Sequence, residues 1–327
     1  MMAPRTRQRG VALIIAMVLM ALATILAVKI GFGGYIERKR TTSVLAAEQA
    51  LQFAMGAEAL AADVLNQDAQ SGQQDTLAEP WAQAPQPIPL RPPNDPEGEP
   101  MGTLEGSLED QQGRFNLNNL LIDDPNDPTH LKPDPKYLNL FKQILVAAKI
   151  EPYWAEKVRD WIDADADVLF PDGAEDSVYT SQSPPYLTAN WPMLSTLDLL
   201  NLPDFGMERY QRLAPYITAL PPGTPINICT TPGLILDAIS GHDEYARNPE
   251  FLAKGRKTGC FPDKNTFLNQ EVNANQKNDA AALLSDKSDY FRLTTIVTLG
   301  TTEFTLYSLL YRSQNRVTPI LRSFGTL

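Results

Sequence analysis

The chain is poor in the residues that most often carry catalysis and transition-metal chemistry. Among 327 residues there are two cysteines and two histidines. Cys229 and Cys260 have no histidine near them in sequence, which excludes a zinc motif. There is no nucleophile-elbow motif, no phosphate-binding glycine loop and no dinucleotide fingerprint. His130 sits in a proline- and aspartate-rich loop and His242 follows Gly241 near an expected helix end. Capping or solvent exposure accounts for both. Basic runs are also missing beyond Glu37-Arg38-Lys39-Arg40, and the net charge of -11 opposes nucleic acid as a partner.

What is present begins at the N-terminus. Arg5, Arg7, Arg9 and Gly10 precede an uncharged apolar run, residues 11–28. As a helix that run spans about 27 Å, close to a bilayer core. The flanking arginines favour a cytoplasmic N-terminus and an extracytoplasmic remainder. Three fates are open. Ala21-Leu22-Ala23 is a small-residue cleavage motif, as in a secretory signal. An uncleaved anchor ending at Lys29 fits equally, with the lysine stem reaching the interface. Third, RQRG before VALIIAMVLM resembles a type IV pilin-like leader. That resemblance implies cutting by a prepilin peptidase after Gly10 and an N-methylated Val11 at the mature terminus. Most such proteins have glutamate at the fifth mature position, where this chain has Ile15. A carboxylate in hydrocarbon is costly without a compensating amine from a neighbouring subunit. A subunit with no neighbour above it has no use for one.

Residues 41–67 contain no proline and one glycine, with apolar residues at Val44, Ala47, Leu51, Ala54/Met55, Ala61 and Leu65. This spacing predicts a helix continuing from the apolar run, with Gly31, Gly33 and Gly34 loosening the junction. Prolines then crowd 71–101, which predicts a surface connector without a central strand. A hairpin is expected over 104–117, turning at Gln111-Gln112-Gly113. Residues 117–221 read mostly helical, with helices over 138–150, 153–162 and 205–213. Ser195, Thr196 or Asp198 starts a turn at 197–202. Thr231 and Pro232 suit the start of a helix over 232–239. Strands are expected over 291–299, 301–311 and 316–324, the last at an edge because of Pro319. The 41–67 helix is the natural cover for that sheet. In an oxidising compartment Cys229 and Cys260 form a disulfide closing a loop of about 31 residues.

The densest polar cluster is Asp160-Trp-Ile-Asp163-Ala-Asp165-Ala-Asp167, followed by Glu175 and Asp176. The EF-hand pattern fails: counting from Asp163, position six is Val168 and position twelve is Ala174. A solvated acidic loop remains open. With Trp161, Ile162, Leu169 and Phe170 as anchors, the cluster suits structural calcium instead, with Asp163, Asp165, Asp167, Glu175 and Asp176 as first-choice ligands. Trp154, Trp161 and Trp191 are expected to pack the helical block.

Further segments extend the likeness. They are GRFNLNNL from Gly113, DWIDAD from Asp160, GAED from Gly173, YLTANWPMLS from Tyr186, and the stretch from Leu220 through INICTT at Ile226. With the leader and Ile15, the chain resembles the K-type minor pseudopilins of type II secretion. The resemblance implies an α/β pilin-like fold, a long N-terminal helix on an antiparallel sheet with a large inserted all-helical domain. Its expected divisions are a leader at 1–10, a transmembrane and juxtamembrane segment at 11–40 and pilin-like elements at 41–116. The inserted domain follows at 117–221, then a disulfide-bearing segment and sheet at 222–327. It further implies a non-enzymatic, single-pass inner-membrane protein with a periplasmic domain. The implied partners are I-type and J-type minor pseudopilins in a tip complex, the major G-type pseudopilin below, prepilin peptidase and folded exported proteins. The 44/47/51/55 face is the candidate contact with sister subunits. The competing reading is an anchored periplasmic hydrolase using His242 or His130; a binding protein using the proline-rich loop is a third.

Overall fold

A computed structural model describes residues 9–325 apart from 84–85, 93, 125–126 and 315. Most of the expected leader, residues 1–8, therefore lies outside the described residues. Helix α1 (Arg9–Ser71) runs for 63 residues, about 95 Å. It passes through Gly31, Gly33 and Gly34 without a break, so the expected loosening is absent. Backbone hydrogen bonds within the helix hold the glycines despite their lost side chains.

The docked half of α1 lies on a sheet. Its strands are β1 (Ile88–Leu90) and β2 (Gly102–Asp110), followed much later in the chain by a final trio described below. Before that trio the chain builds a helical lobe. A two-residue strand β3 (Phe115–Asn116) is followed by a ribbon of β4 (Leu121–Asp124) and β5 (Asp127–Pro133). Helices α2 (Pro135–Ala147), α3 (Trp154–Ile162), α4 (Asp176–Tyr179) and α5 (Gly206–Leu213) come next. Short strands β6 (Ile217–Thr218) and β7 (Ile226–Asn227) lead to α6 (Gly233–Ser240), α7 (Pro249–Arg256), α8 (Lys264–Gln270) and α9 (Lys277–Leu283). After β8 (Leu284–Ser285) the sheet is completed by β9 (Tyr290–Leu299), β10 (Thr302–Ser313) and β11 (Arg316–Phe324).

The main sheet has the order β1-β2-β9-β10-β11 and is antiparallel throughout. Alternation in β9 turns Phe291, Leu293, Val297 and Leu299 toward α1. The helix answers with Ala50, Ala54, Ala57, Ala61 and Leu65, all buried. This face differs from the expected stripe, since Val44 and Met55 are exposed. Small alanines let the helix approach the sheet closely, and the larger neighbours turn outward. Glu58 fixes the register: it accepts from Ser308 Oγ at 2.8 Å and from Arg322 Nε and Nη2 at 2.8 and 2.7 Å.

Several local expectations change. The hairpin over 104–117 does not form; β2 pairs with β1 and β9, while β3 pairs in parallel with β6. The lobe is not all-helical, because β3-β6, β4-β5 and β7-β8 form two-stranded ribbons. Its apolar core runs from Phe115 to Leu284, so its packing continues well past residue 221. Thr231 does not cap α6: its hydroxyl donates to Asn227 O at 2.5 Å, and Pro232 occupies the cap position. Trp154 and Trp161 are buried as expected, but Trp191 and Phe170 are exposed. Ser195 caps the 3-10 turn Thr196–Asn201 in a capping box with Asp198. The Cys229–Cys260 disulfide ties the turn after β7 to the loop between α7 and α8.

Lobe and sheet meet at a buried polar junction. The chain leaves the sheet at Asp110 and re-enters at Tyr290 on the adjacent strand. Asp110 is buried, and its carboxylate accepts from Gln112 N, Thr230 Oγ1 and Ser288 Oγ at 2.8, 2.6 and 2.7 Å. Asn227 Nδ2 lies 3.0 Å from it. Beside it Arg312 donates to Asp68 at 3.0 Å, to both oxygens of Asp75 at 2.5 and 2.6 Å, and to Ser288 O. Removing one member of a buried ion pair leaves the others uncompensated. Arg312→Met should therefore lower unfolding free energy by about 3–5 kcal/mol in denaturant titration; a loss below about 1 kcal/mol would show that the junction does not bear on stability.

Candidate functional site

Two features stand out: the free half of α1 and an acidic pocket in the lobe. The side chains of residues 11–28 are exposed along their whole length. Among the described residues one helix is long and apolar enough to cross a membrane, and it holds an 18-residue window of mean hydropathy 3.0. Its one hydroxyl in the run, Thr24, bonds back to Met20 O at 2.7 Å, leaving the surface wholly apolar. Ile15 lies on this surface.

The acidic pocket is built on α3. Asp160 lies in the last turn of α3, and Asp163 is the residue that ends the helix, its backbone already extended. The chain then loops out and returns with Glu175 immediately before α4. One oxygen from each of Asp160, Asp163 and Glu175 lies within 4.8 Å of the others, and all three residues are buried. Gly173 permits the return, since a Cβ there would sit 2.1 Å from Asp160 Oδ2. Asp160 Oδ2 accepts from Leu169 N at 2.9 Å, and Asp163 Oδ2 accepts from Arg159 Nε at 3.3 Å. Asp160 Oδ1, Asp163 Oδ1 and both Glu175 carboxylate oxygens are buried without a hydrogen-bond partner.

Such a cluster is unfavourable as three free carboxylates. Burial pushes Glu175 up to about 7, with the charges of Asp160 and Asp163 adding to the effect. Burial likewise pushes Asp163 to about 6, reinforced by Asp165 and Asp160 and partly offset by Arg159. Oxygen-only donors converging with unsatisfied lone pairs fit a hard divalent cation of the calcium type.

The structure brings together two of the five expected ligands, Asp163 and Glu175. Asp165 and Asp167 are exposed, and Asp165 Oδ1 accepts from Asp167 N at 2.9 Å. Asp176 is turned elsewhere: its Oδ1 accepts from Thr188 N and Oγ1 at 3.0 and 2.6 Å, which holds its pKa low. It clips the loop rather than joining the pocket. Asp160 was not among the expected ligands, although its one-turn spacing from Asp163 is a signal the sequence carries. In a second acidic group, Asp68, Asp75 and Glu79, the first two already hold the Arg312 guanidinium and Glu79 accepts from Trp81 Nε1 at 2.7 Å.

The other candidates lie apart from this pocket or outside the described side chains. His242 is exposed, and its backbone N donates to Ser240 Oγ at 3.2 Å. His130 lies in β5 rather than a loop, with its side chain outside the described residues. In the proline-rich connector, Trp81 is buried edge-on against Phe291 at 5.1 Å, and Ile88–Leu90 form an edge strand.

Comparisons with known proteins agree with one another. Residues 113–222 match a family model described as type II secretion system (T2SS), protein K. The chain is 31% identical to a type II secretion system protein K of Aeromonas hydrophila, over 97% of this chain and 96% of the relative. It is 32% identical to the protein of that name from Klebsiella pneumoniae, over 98% and 97%. It is similar to a chain in the crystal structure of the GspK-GspI-GspJ complex of enterotoxigenic Escherichia coli. That match has a TM-score of 0.74 and 27% identity, covering 88% of this chain and all of that one.

The acidic pocket generates a pH test. The folded pKa values of Glu175 and Asp163 lie above the ordinary carboxylate range, so the folded state takes up protons. Their contribution is present below about pH 4 and is lost as pH rises through 6 to 7. In metal-free protein, melting temperature should fall over that window, and saturating calcium should remove the pocket's share of the fall. Asp68 and Asp110, also raised to about 6, act in the same direction, so Glu175→Gln isolates the pocket. This variant should flatten the slope and remove the calcium response; an unchanged calcium response would rule the pocket out.

Proposed function

The chain belongs to the type II secretion system protein K family, and from that premise we propose that it is the tip subunit of a periplasmic pseudopilus. In this reading it joins I-type and J-type minor pseudopilins, primes assembly and caps the filament, with the G-type pseudopilin added from below. Export of folded proteins across the outer membrane is the task of the whole apparatus. The likeness to a chain of the GspK-GspI-GspJ complex supports the choice of I and J partners.

The observation that carries the reading is the division of α1. Its first half exposes a continuous apolar surface, and its second half is locked onto the sheet by alanine packing and Glu58. A bilayer covers the free half before assembly, and neighbouring helices cover it afterwards. Exposure of Val44, Leu45, Leu60 and Val64 extends the available surface below the span. Ile15 places no carboxylate in hydrocarbon, which suits a position with no amine above it. The lobe projects from the sheet between adjacent strands β2 and β9 and adds bulk where another subunit would stack.

In the same reading prepilin peptidase removes residues 1–10 and Val11 becomes the N-methylated terminus, with the main domain in the periplasm. Calcium is held by Asp160, Asp163 and Glu175 and staples the 163–175 loop onto α3. A side chain at residue 10 obstructs approach to the scissile bond. Gly10→Leu should leave unprocessed precursor in the inner membrane, read by intact mass. Wild-type material should begin at methylated Val11. Normal maturation of the variant, or a wild-type terminus at Thr24, would contradict this account.

A further inference from the structure

A cavity of about 800 Å³ lies where the proline-rich connector meets the lobe. Leu77 of the connector borders it, as do Pro232 and Leu234 at the start of α6. Tyr245 and the α7 residues Leu252 and Arg256 line it as well. The charged residues in the lining are Arg256 and Lys257, and no acidic residue is among them.

Arg256 and Arg312 are the two arginines buried among the described residues, and their surroundings differ. Burial opposes the charge on Arg312, but hydrogen bonds and charges from Asp75 and Asp68 outweigh it and raise its pKa. Arg256 is 6% exposed and pairs with no carboxylate among the described residues. Its Nε and Nη2 donate to Phe261 O and Ile228 O, both at 2.9 Å, which leaves Nη1 over. Carbonyl oxygens satisfy donors without neutralising the charge. Burial therefore lowers the Arg256 pKa to about 10, and only Tyr245 opposes the shift. A buried cation in this state is unfavourable. The first turn of α6 adds donors beside it. Pro232 offers no side-chain cap, and the N–H groups of Gly233 and Leu234 have no acceptor among the described residues.

We propose that this cavity binds a small organic monocarboxylate, with its acid group on Arg256 and its apolar body against Leu77, Leu234 and Leu252. A carboxylate supplies the missing countercharge and accepts from the remaining guanidinium nitrogen. One buried guanidinium suits one negative charge, because the second cation, Lys257, is exposed to water. Apolar walls around a few polar groups, in a cavity of this volume, are the usual make-up of a small-molecule site. The acceptors of Arg256 adjoin Cys229 and Cys260, so an occupant also steadies the segment closed by the disulfide. The assignment is independent of the acidic pocket and of the tip position.

The test titrates the full chain in detergent micelles with 3-phenylpropionate by calorimetry, micelles alone being the blank. The acid should bind saturably and raise the melting temperature. The neutral 3-phenylpropionamide should bind about tenfold more weakly or worse. Acetate, which lacks the apolar body, and inorganic phosphate should fall behind to a similar degree. Arg256→Gln should weaken the acid by about tenfold or more. Ala253→Glu sets a carboxylate on the cavity wall without touching the Arg256 bonds, and it should abolish binding. Melting curves confirm that each variant is folded; if Arg256→Gln is not, Ala253→Glu decides alone. Absence of saturable binding, equal affinity for acid and amide, or full affinity in a folded variant would overturn the proposal. Acetate or phosphate binding as tightly as 3-phenylpropionate would overturn it too.

Discussion

The structure depends on how one buried carboxylate is satisfied. Asp110 is the last residue of β2 and the point at which the chain leaves the sheet to build the lobe. Its donors come from the departing turn, from the segment around β7 and from the return before β9. A buried acid without such donors is strongly unfavourable; burial pushes even this one up to about 6. Satisfying it requires the exit and re-entry points to sit together. Ser288 serves both this carboxylate and the neighbouring Asp75-Arg312 pair. That pair reaches Asp68 near the end of α1. Helix, sheet and lobe thereby converge on one connected polar region, while their apolar cores remain separate.

This arrangement lets one helix do two jobs. Alanines at 50, 54, 57 and 61 bring α1 close to the sheet, and Glu58 fixes its register through Ser308 and Arg322. Little flexibility is needed at the membrane junction because α1 is continuous there. Both sheet edges carry a proline, Pro89 in β1 and Pro319 in β11. A missing N–H at each edge discourages strand addition.

Features with a local period were legible in the sequence. The long helix, the final three strands and the edge position of Pro319 follow from apolar spacing and proline chemistry. Non-local pairings were not. The two-residue strands β3 and β6 lie about a hundred residues apart, and neither has a pattern of its own. The expected hairpin failed at Gly113 for a tertiary reason: the backbone there packs against Thr230, and a Cβ would lie 2.7 Å from its hydroxyl. In the acidic pocket, composition located the loop but not its ligands. Asp176 looked equivalent to Glu175 until Thr188, twelve residues away, took its carboxylate. Phe170 looked like an anchor, yet it is 90% exposed because Gly173 and Leu169 close the loop beneath it.

The apolar residue at Ile15 and the bulky lobe are the grounds on which we propose an end position in the filament for this chain. The most direct measurement is imaging of pseudopili assembled with I-type, J-type and G-type subunits, with this chain carrying a single electron-dense label on its lobe. The account predicts one label at one end of each filament and none along the shaft. Labels repeating along the shaft would contradict it.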